Sequence, residues 1–211
     1  RSFVGMHPVP LVHGMTLGEY AGMINGEGWL KGGTPCALTV VPCSGYTHAT
    51  LYTPPVRPSP NLPNVAAIRL YPSLGLFEGT VVSVGRGTDL PFQCIGYPTN
   101  PLGRYRFTPR SMPGAKSPPY KGRECRGMDL SAFGSFYPNM ERGIHLDWLV
   151  GLYAAAPDKK GFFNSFFDKL AGGPRLRQQV EAGWDVERIK ASWLPGLEAF
   201  HAVRSRYLLY P

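Results

Sequence analysis

Four polar side chains stand on backbone made permissive or stiff by glycine and proline: His13, Asn61, Glu78 and Arg86. Glu78 follows Leu76-Phe77 and precedes Gly79, so its carboxyl has apolar neighbours in sequence. Such a setting can hold a proton on a carboxyl, as a general acid requires; the plain alternative is a cap on nearby amides. Arg86 lies in Gly-Arg-Gly-Thr, where small neighbours clear space for a two-pronged grip on a carboxylate, or where the arginine simply pins a loop. Asn61, in PSPNLP, is either a turn-former between prolines or a rigidly held amide for a sugar hydroxyl or acetamido group. His13 precedes Thr16, a helix N-cap; it is either a packed loop histidine or part of an anion or sugar pocket.

The rest of the chain narrows the chemistry. There is no GxSxG, no P-loop, no GxGxxG and no HExxH. Cys36, Cys43, Cys94 and Cys125 form no CxxC pair and no histidine pair has ligand spacing, so neither a metal nor another cofactor is expected. Buried free thiols are the simplest reading of the cysteines. Net charge is +8, unevenly made: residues 1–120 hold four carboxylates (Glu19, Glu27, Glu78, Asp89) against nine lysines and arginines. That imbalance favours an anionic partner. Nucleic acid is not expected, because no basic helix, RNP-like strand or zinc-finger spacing is present. No run approaches the length of a membrane span.

The elements that must position these residues are an α+β set: a small mixed sheet with long Pro/Gly-rich loops, then a helical C-terminal segment. Thr16-Leu17-Gly18-Glu19 is a capping-box pattern that predicts a helix over 16–25, its inner face Leu17, Tyr20, Ala21 and Ile24. Composition predicts a buried strand at 37–42 and further strands near 66–71, 92–97 and 127–133. Residues 52–64 are too proline-rich for helix or central strand, and 98–124 reads as loop or lid. Helices are predicted around 146–153 and 162–170, after Pro174, and from Asp185 onward with a kink at Pro195. The chain divides into a loop-rich part, 1–140, and a helical part, 141–211, read as one domain.

The order PLVHGMTLGE, INGE, LTVVP, PSPNLP, YPSLGLFEGT, SVGRGTDLPF and IGYP, with AGWDVERIKASW and RSRYLLYP at the end, resembles the NamZ-like exo-β-N-acetylmuramidases across nearly the whole chain. The resemblance implies a C-terminal half that follows a Rossmann-like N-terminal domain, with the active-site cleft between them. It implies removal of N-acetylmuramic acid (MurNAc) from the non-reducing ends of peptidoglycan fragments, in the periplasm or outside the cell. Its lactyl carboxylate agrees with the acid-poor first 120 residues. By the same resemblance Glu78 is the catalytic candidate, and Arg86, Asn61 and His13 are substrate contacts. One position departs: the family usually carries glutamate where this chain has Val84. The competing expectation is a non-catalytic module that binds muropeptides or another anionic glycan. A third, a purely structural domain, leaves the polar residues on rigid loops unexplained. Since Glu19 is assigned to its cap and Glu78 has no evident carboxyl partner, the chain alone is expected not to hydrolyse; the N-terminal half would supply the missing group.

Overall fold

The capping box forms as its sequence requires. Thr16 Oγ1 accepts from Glu19 N and the Glu19 carboxylate accepts from Thr16 N, opening α1 (Leu17–Gly26). The computed structural model describes residues 4–136 and 143–211. The inner face of α1 is not the apolar stripe expected: Leu17 is 85% exposed, and the buried residues are Met23 and Glu19. The helix packs on a polar contact made by Glu19, and this turns Leu17 outward.

Residues 37–42 form no strand, and Val41 is 86% exposed. Strand preference reflects fit to a half-buried pleated surface, and no neighbouring strand pairs with this segment. The expected strand at 66–71 is a helix, α2 (Val65–Leu74). Asn64 caps it, its side chain accepting from Ala67 N, and Ala67, Leu70 and Leu74 fall on one buried face at helical spacing. The proline-rich 52–64 stretch runs irregularly up to that cap.

The sheet contains β1 (Cys94–Tyr97), β2 (Tyr105–Phe107) and β3 (Cys125–Asp129) in the order β1-β3-β2, with both pairings antiparallel. The expected strand at 127–133 stops at Asp129, whose side chain accepts from Ser131 N and starts α3 (Ser131–Phe136). The boundary proposed at 140/141 lies outside the described residues. Beyond it come α4 (Asp147–Ala155), α5 (Phe167–Leu170), α6 (Arg175–Glu181), α7 (Val186–Ala191) and α8 (Leu194–Arg204). Of the phenylalanine-rich 162–170 stretch only the end is helical. The Phe162 carbonyl instead accepts from Val81 N, and Phe163 bridges to Thr80. Pro195 does not kink one helix but sits in the first turn of α8, separating it from α7.

One hydrophobic core joins both parts of the sequence: Leu70, Phe77, Phe92 and Ile95 pack with Leu149, Phe162, Phe167 and Ile189. The C-terminal tail then returns to the beginning. Leu209 N donates to Glu19 Oε1 (2.8 Å), Tyr207 Oη to Glu27 Oε1 (2.5 Å), and His48 N to the Pro211 carbonyl (3.0 Å). No described helix is long and apolar enough to cross a membrane. Cys94 and Cys125 are buried, as expected of thiols, but Cys36 and Cys43 are exposed; all four are free.

Candidate functional site

Glu78 and Arg86 meet. Glu78 sits in a 3-10 turn (Gly75–Gly79) that continues α2, anchored by the buried Leu76 and Phe77. Gly79 is forced by proximity: a Cβ there would lie 2.4 Å from Phe167 Cα. Asn164 also holds the turn from the far part of the chain, its N–H donating to the Gly79 carbonyl at 2.9 Å. The loop then pairs with β1 through reciprocal Ser83–Gly96 bonds of 2.8 and 3.0 Å. Arg86 stands between Gly85 (φ 75°) and Gly87 (φ 81°), both in the left-handed region. Space as well as conformation demands glycine: a Cβ at 85 would meet Leu90 O at 2.5 Å, and one at 87 would meet Arg110 O at 2.6 Å.

The Arg86 guanidinium donates twice to one oxygen, from Nε at 2.9 Å and Nη2 at 2.8 Å to Glu78 Oε1. Both side chains remain between a quarter and a third exposed (29% and 28%). Below them Phe92 presents its ring 5.0 Å from the Arg86 guanidinium carbon, and Tyr71 of α2 meets that ring edge-on at 4.9 Å. Phe92 is fully buried and holds a left-handed φ of 53°, an uncommon conformation for a bulky residue. Its N–H donates to the Val84 carbonyl at 2.7 Å. Val84 itself is 3% exposed in the main core, so no carboxylate stands at this position beside the pair.

Asn61 uses its amide on the protein: Nδ2 donates to the Gly114 carbonyl (3.0 Å), tying the proline loop to the 112–115 turn. His13 stacks on Tyr20 with centroids 5.0 Å apart, and its Nδ1 accepts from Met15 N at 3.2 Å. Burial and, secondarily, the Arg204 charge hold its pKa below the usual histidine value. Among the described residues no hydrogen bond joins Asn61 or His13 to the Glu78–Arg86 pair. The nearest link is α2, on which Tyr71 supports Phe92 and the adjacent Pro72 lines a cavity shared with His13. A larger cavity, about 900 Å³, is mostly apolar, lined by Leu146, Trp193 and Phe200 among others, and contains none of the four. Sequence reasoning missed Phe92, Tyr71, Asn164 and Arg204. Phe92 had a local signal in its place at the end of the GRGT segment, and Tyr71 stands seven residues before Glu78; Asn164 and Arg204 are distant in sequence.

The C-terminal model of the exo-β-N-acetylmuramidase NamZ matches residues 69–210, and the N-terminal model matches residues 1–66. The chain was expected to start just past the N-terminal part; the N-terminal model instead covers its first 66 residues. A peptidoglycan β-N-acetylmuramidase NamZ of Bacillus subtilis (strain 168) is 34% identical over 99% of this chain and 53% of its own length. The chain thus spans about half the length of that relative. A crystal structure of a DUF1343 family protein from Bacteroides fragilis superposes with a TM-score of 0.95 at 49% identity, covering 100% of this chain and 59% of the other. A second such protein from the same organism has a TM-score of 0.66 at 22% identity, covering 96% of this chain and 58% of its own, a likeness of fold.

Proposed function

The chain belongs to the NamZ exo-β-N-acetylmuramidase family, and from that premise we propose that it is part of a glycoside hydrolase that releases MurNAc from the non-reducing ends of peptidoglycan fragments. The observation that carries this reading is the Glu78–Arg86 pair: a partly buried carboxylate with one oxygen fixed by two N–H donors, on backbone locked by Gly79, Gly85 and Gly87. Catalytic carboxyls must be held in place, and this one is held from both sides of the chain. In this reading Glu78 acts as a carboxylate that orients the substrate or the attacking water. The Arg86 guanidinium pairs with it, and the proton-holding apolar setting expected from its sequence neighbours is not what surrounds its oxygen. Arg86 fixes it and turns its remaining N–H groups to the sugar, while Asn61 and His13 contribute from the flanking loops.

Glycoside hydrolysis ordinarily uses two carboxyls, roughly 5–5.5 Å apart for retention or 6.5–9.5 Å for inversion. With Val84 in the core and Glu19 engaged by its own helix cap, the second group comes from the N-terminal half of the protein, across a shared cleft. A substrate made of wall fragments goes with a location in the periplasm or outside the cell, which is part of the same proposal. The same Val84 favours a second reading, a member that binds the anionic glycan without cleaving it.

Mass spectrometry of products from para-nitrophenyl-MurNAc, with the intact protein and Glu78→Gln, separates the two. Release of MurNAc by the wild type, and a loss on the order of 10²-fold or more in kcat for the variant, is the expected result. Binding of MurNAc with no product from the wild type would establish the binding module instead.

A further inference from the structure

We propose that the cavity between the 11–15 loop, the 46–48 turn and α8 is a carboxylate-binding subsite, with Arg204 as the charge partner and His13 as a second donor. The identity of its ligand, the carboxylate arm of MurNAc, rests on the muramidase reading above.

The argument starts from charge. Arg86 already spends its charge on Glu78 at 2.8 Å, and Arg110, beside Gly87, spends its own on Asp89 at 2.9 Å. Arg204 has no carboxylate partner among the described residues. Its Nε donates to the His13 carbonyl (3.1 Å) and its Nη2 to the Gly14 carbonyl, both neutral acceptors. Those bonds fix the guanidinium without neutralising it, and leave N–H groups on Nη1 and Nη2. The cavity it lines is about 420 Å³, within the roughly 300–1,000 Å³ of small-ligand sites, and His13, Tyr46, His48 and Pro72 also face it.

His13 is set as a donor. Because its Nδ1 accepts from Met15 N, the neutral ring carries its proton on Nε2. Glu19 is bonded to His48 and does not itself line the cavity. Its oxygens are occupied by Thr16 N, Leu209 N and His48 Nε2. A carboxylate entering the cavity therefore meets a fixed, uncompensated arginine and an imidazole N–H, the donor set that binds such a group. Pro72 on the cavity wall follows Tyr71 on α2, and the Tyr71 ring meets Phe92, the ring beneath Arg86, so α2 and Phe92 join this subsite to the Glu78–Arg86 pair.

The test measures binding of MurNAc, N-acetylglucosamine (GlcNAc, which lacks the lactyl arm) and D-lactate to the intact protein by calorimetry, and by the His13 ring resonances assigned with His13→Gln. Arg204→Gln keeps a donor for the two carbonyls and removes the charge; Arg204→Lys keeps the charge. Arg204→Gln should weaken MurNAc roughly 10- to 100-fold while GlcNAc changes less than about twofold, and Arg204→Lys should recover most of the loss. Equal losses for both sugars, or an unchanged MurNAc affinity, would overturn the subsite. If Arg204→Gln does not fold, the wild type decides: D-lactate must shift the His13 resonances, and no shift with either D-lactate or MurNAc rejects the proposal. A wild type that binds MurNAc through Arg204 but cleaves nothing overturns the muramidase reading and leaves the subsite standing.

Discussion

Replacing Glu19 by glutamine should loosen the whole N-terminal third of the chain in a pH-dependent way. The Glu19 side chain is fully buried, yet its carboxylate holds three separate segments. Oε2 accepts from Thr16 N at 2.7 Å, and Oε1 accepts from His48 Nε2 at 2.9 Å and Leu209 N at 2.8 Å. Burial alone would raise its pKa; the hydrogen bonds from Leu209, Thr16 and His48 outweigh burial and bring it from 4.5 down to about 2. Each tenfold change in proton affinity corresponds to about 1.4 kcal/mol, so the charged form stabilises the fold by about 3 kcal/mol at neutral pH. Because the folded value lies below the unfolded one, this contribution is complete above pH 4.5 and is lost as pH falls through about 2. In Glu19→Gln one amide oxygen can still serve His48 and Leu209, but the amide NH₂ then faces the Thr16 N–H, donor against donor. For a chain of this size about 3 kcal/mol lowers the thermal midpoint by roughly 6–12 °C. Thermal unfolding of wild type and variant, followed by circular dichroism from pH 7 down to pH 2, should show that gap closing as the wild type protonates. A gap that stays constant across the range, or one below about 2 °C at pH 7, would refute the assignment of the stability to the ionised carboxylate.

Gly79→Ala should cost about 1–3 kcal/mol, because its Cβ would meet Phe167 backbone that cannot rotate away; an unchanged thermal midpoint would contradict this packing. The four thiols should divide cleanly under an aromatic disulfide reagent at neutral pH. Exposed Cys36 and Cys43 should react in the native state, whereas Cys94 and Cys125 should react only on unfolding, being buried with pKa values pushed up by that burial to about 12 and about 11. Fast labelling of all four in the native protein would show that β1 and β3 open readily.

Much of the local structure was legible in sequence because it is settled by neighbours. The Thr16–Glu19 capping box, the Asp185 cap of α7, the prolines of 52–64 and the glycines around Arg86 act over three or four residues, and each does what its chemistry requires. The errors arose where a composition fits two conformations. Residues 66–71 satisfy a strand pattern, but the Asn64 cap and the spacing of Ala67, Leu70 and Leu74 make them helix. Residues 37–42 have strand composition but no strand to pair with.

The sequence by itself determined which residue types were available for chemistry and which stretches of backbone were rigid enough to hold them. Their partners were decided only by the tertiary structure. Glu78 and Arg86 are eight residues apart, and nothing local requires that they pair rather than face a ligand; the turn at Gly79, pressed on Phe167, and the left-handed glycines bring them together. Arg204 reaches His13 across 191 residues, and Leu209 reaches Glu19 across 190. Hydrogen bonding and desolvation depend on distance in space. When the chain closes its last eleven residues onto its first fifty, it decides which carboxylate is buried and satisfied, which arginine is neutralised, and which keeps its charge.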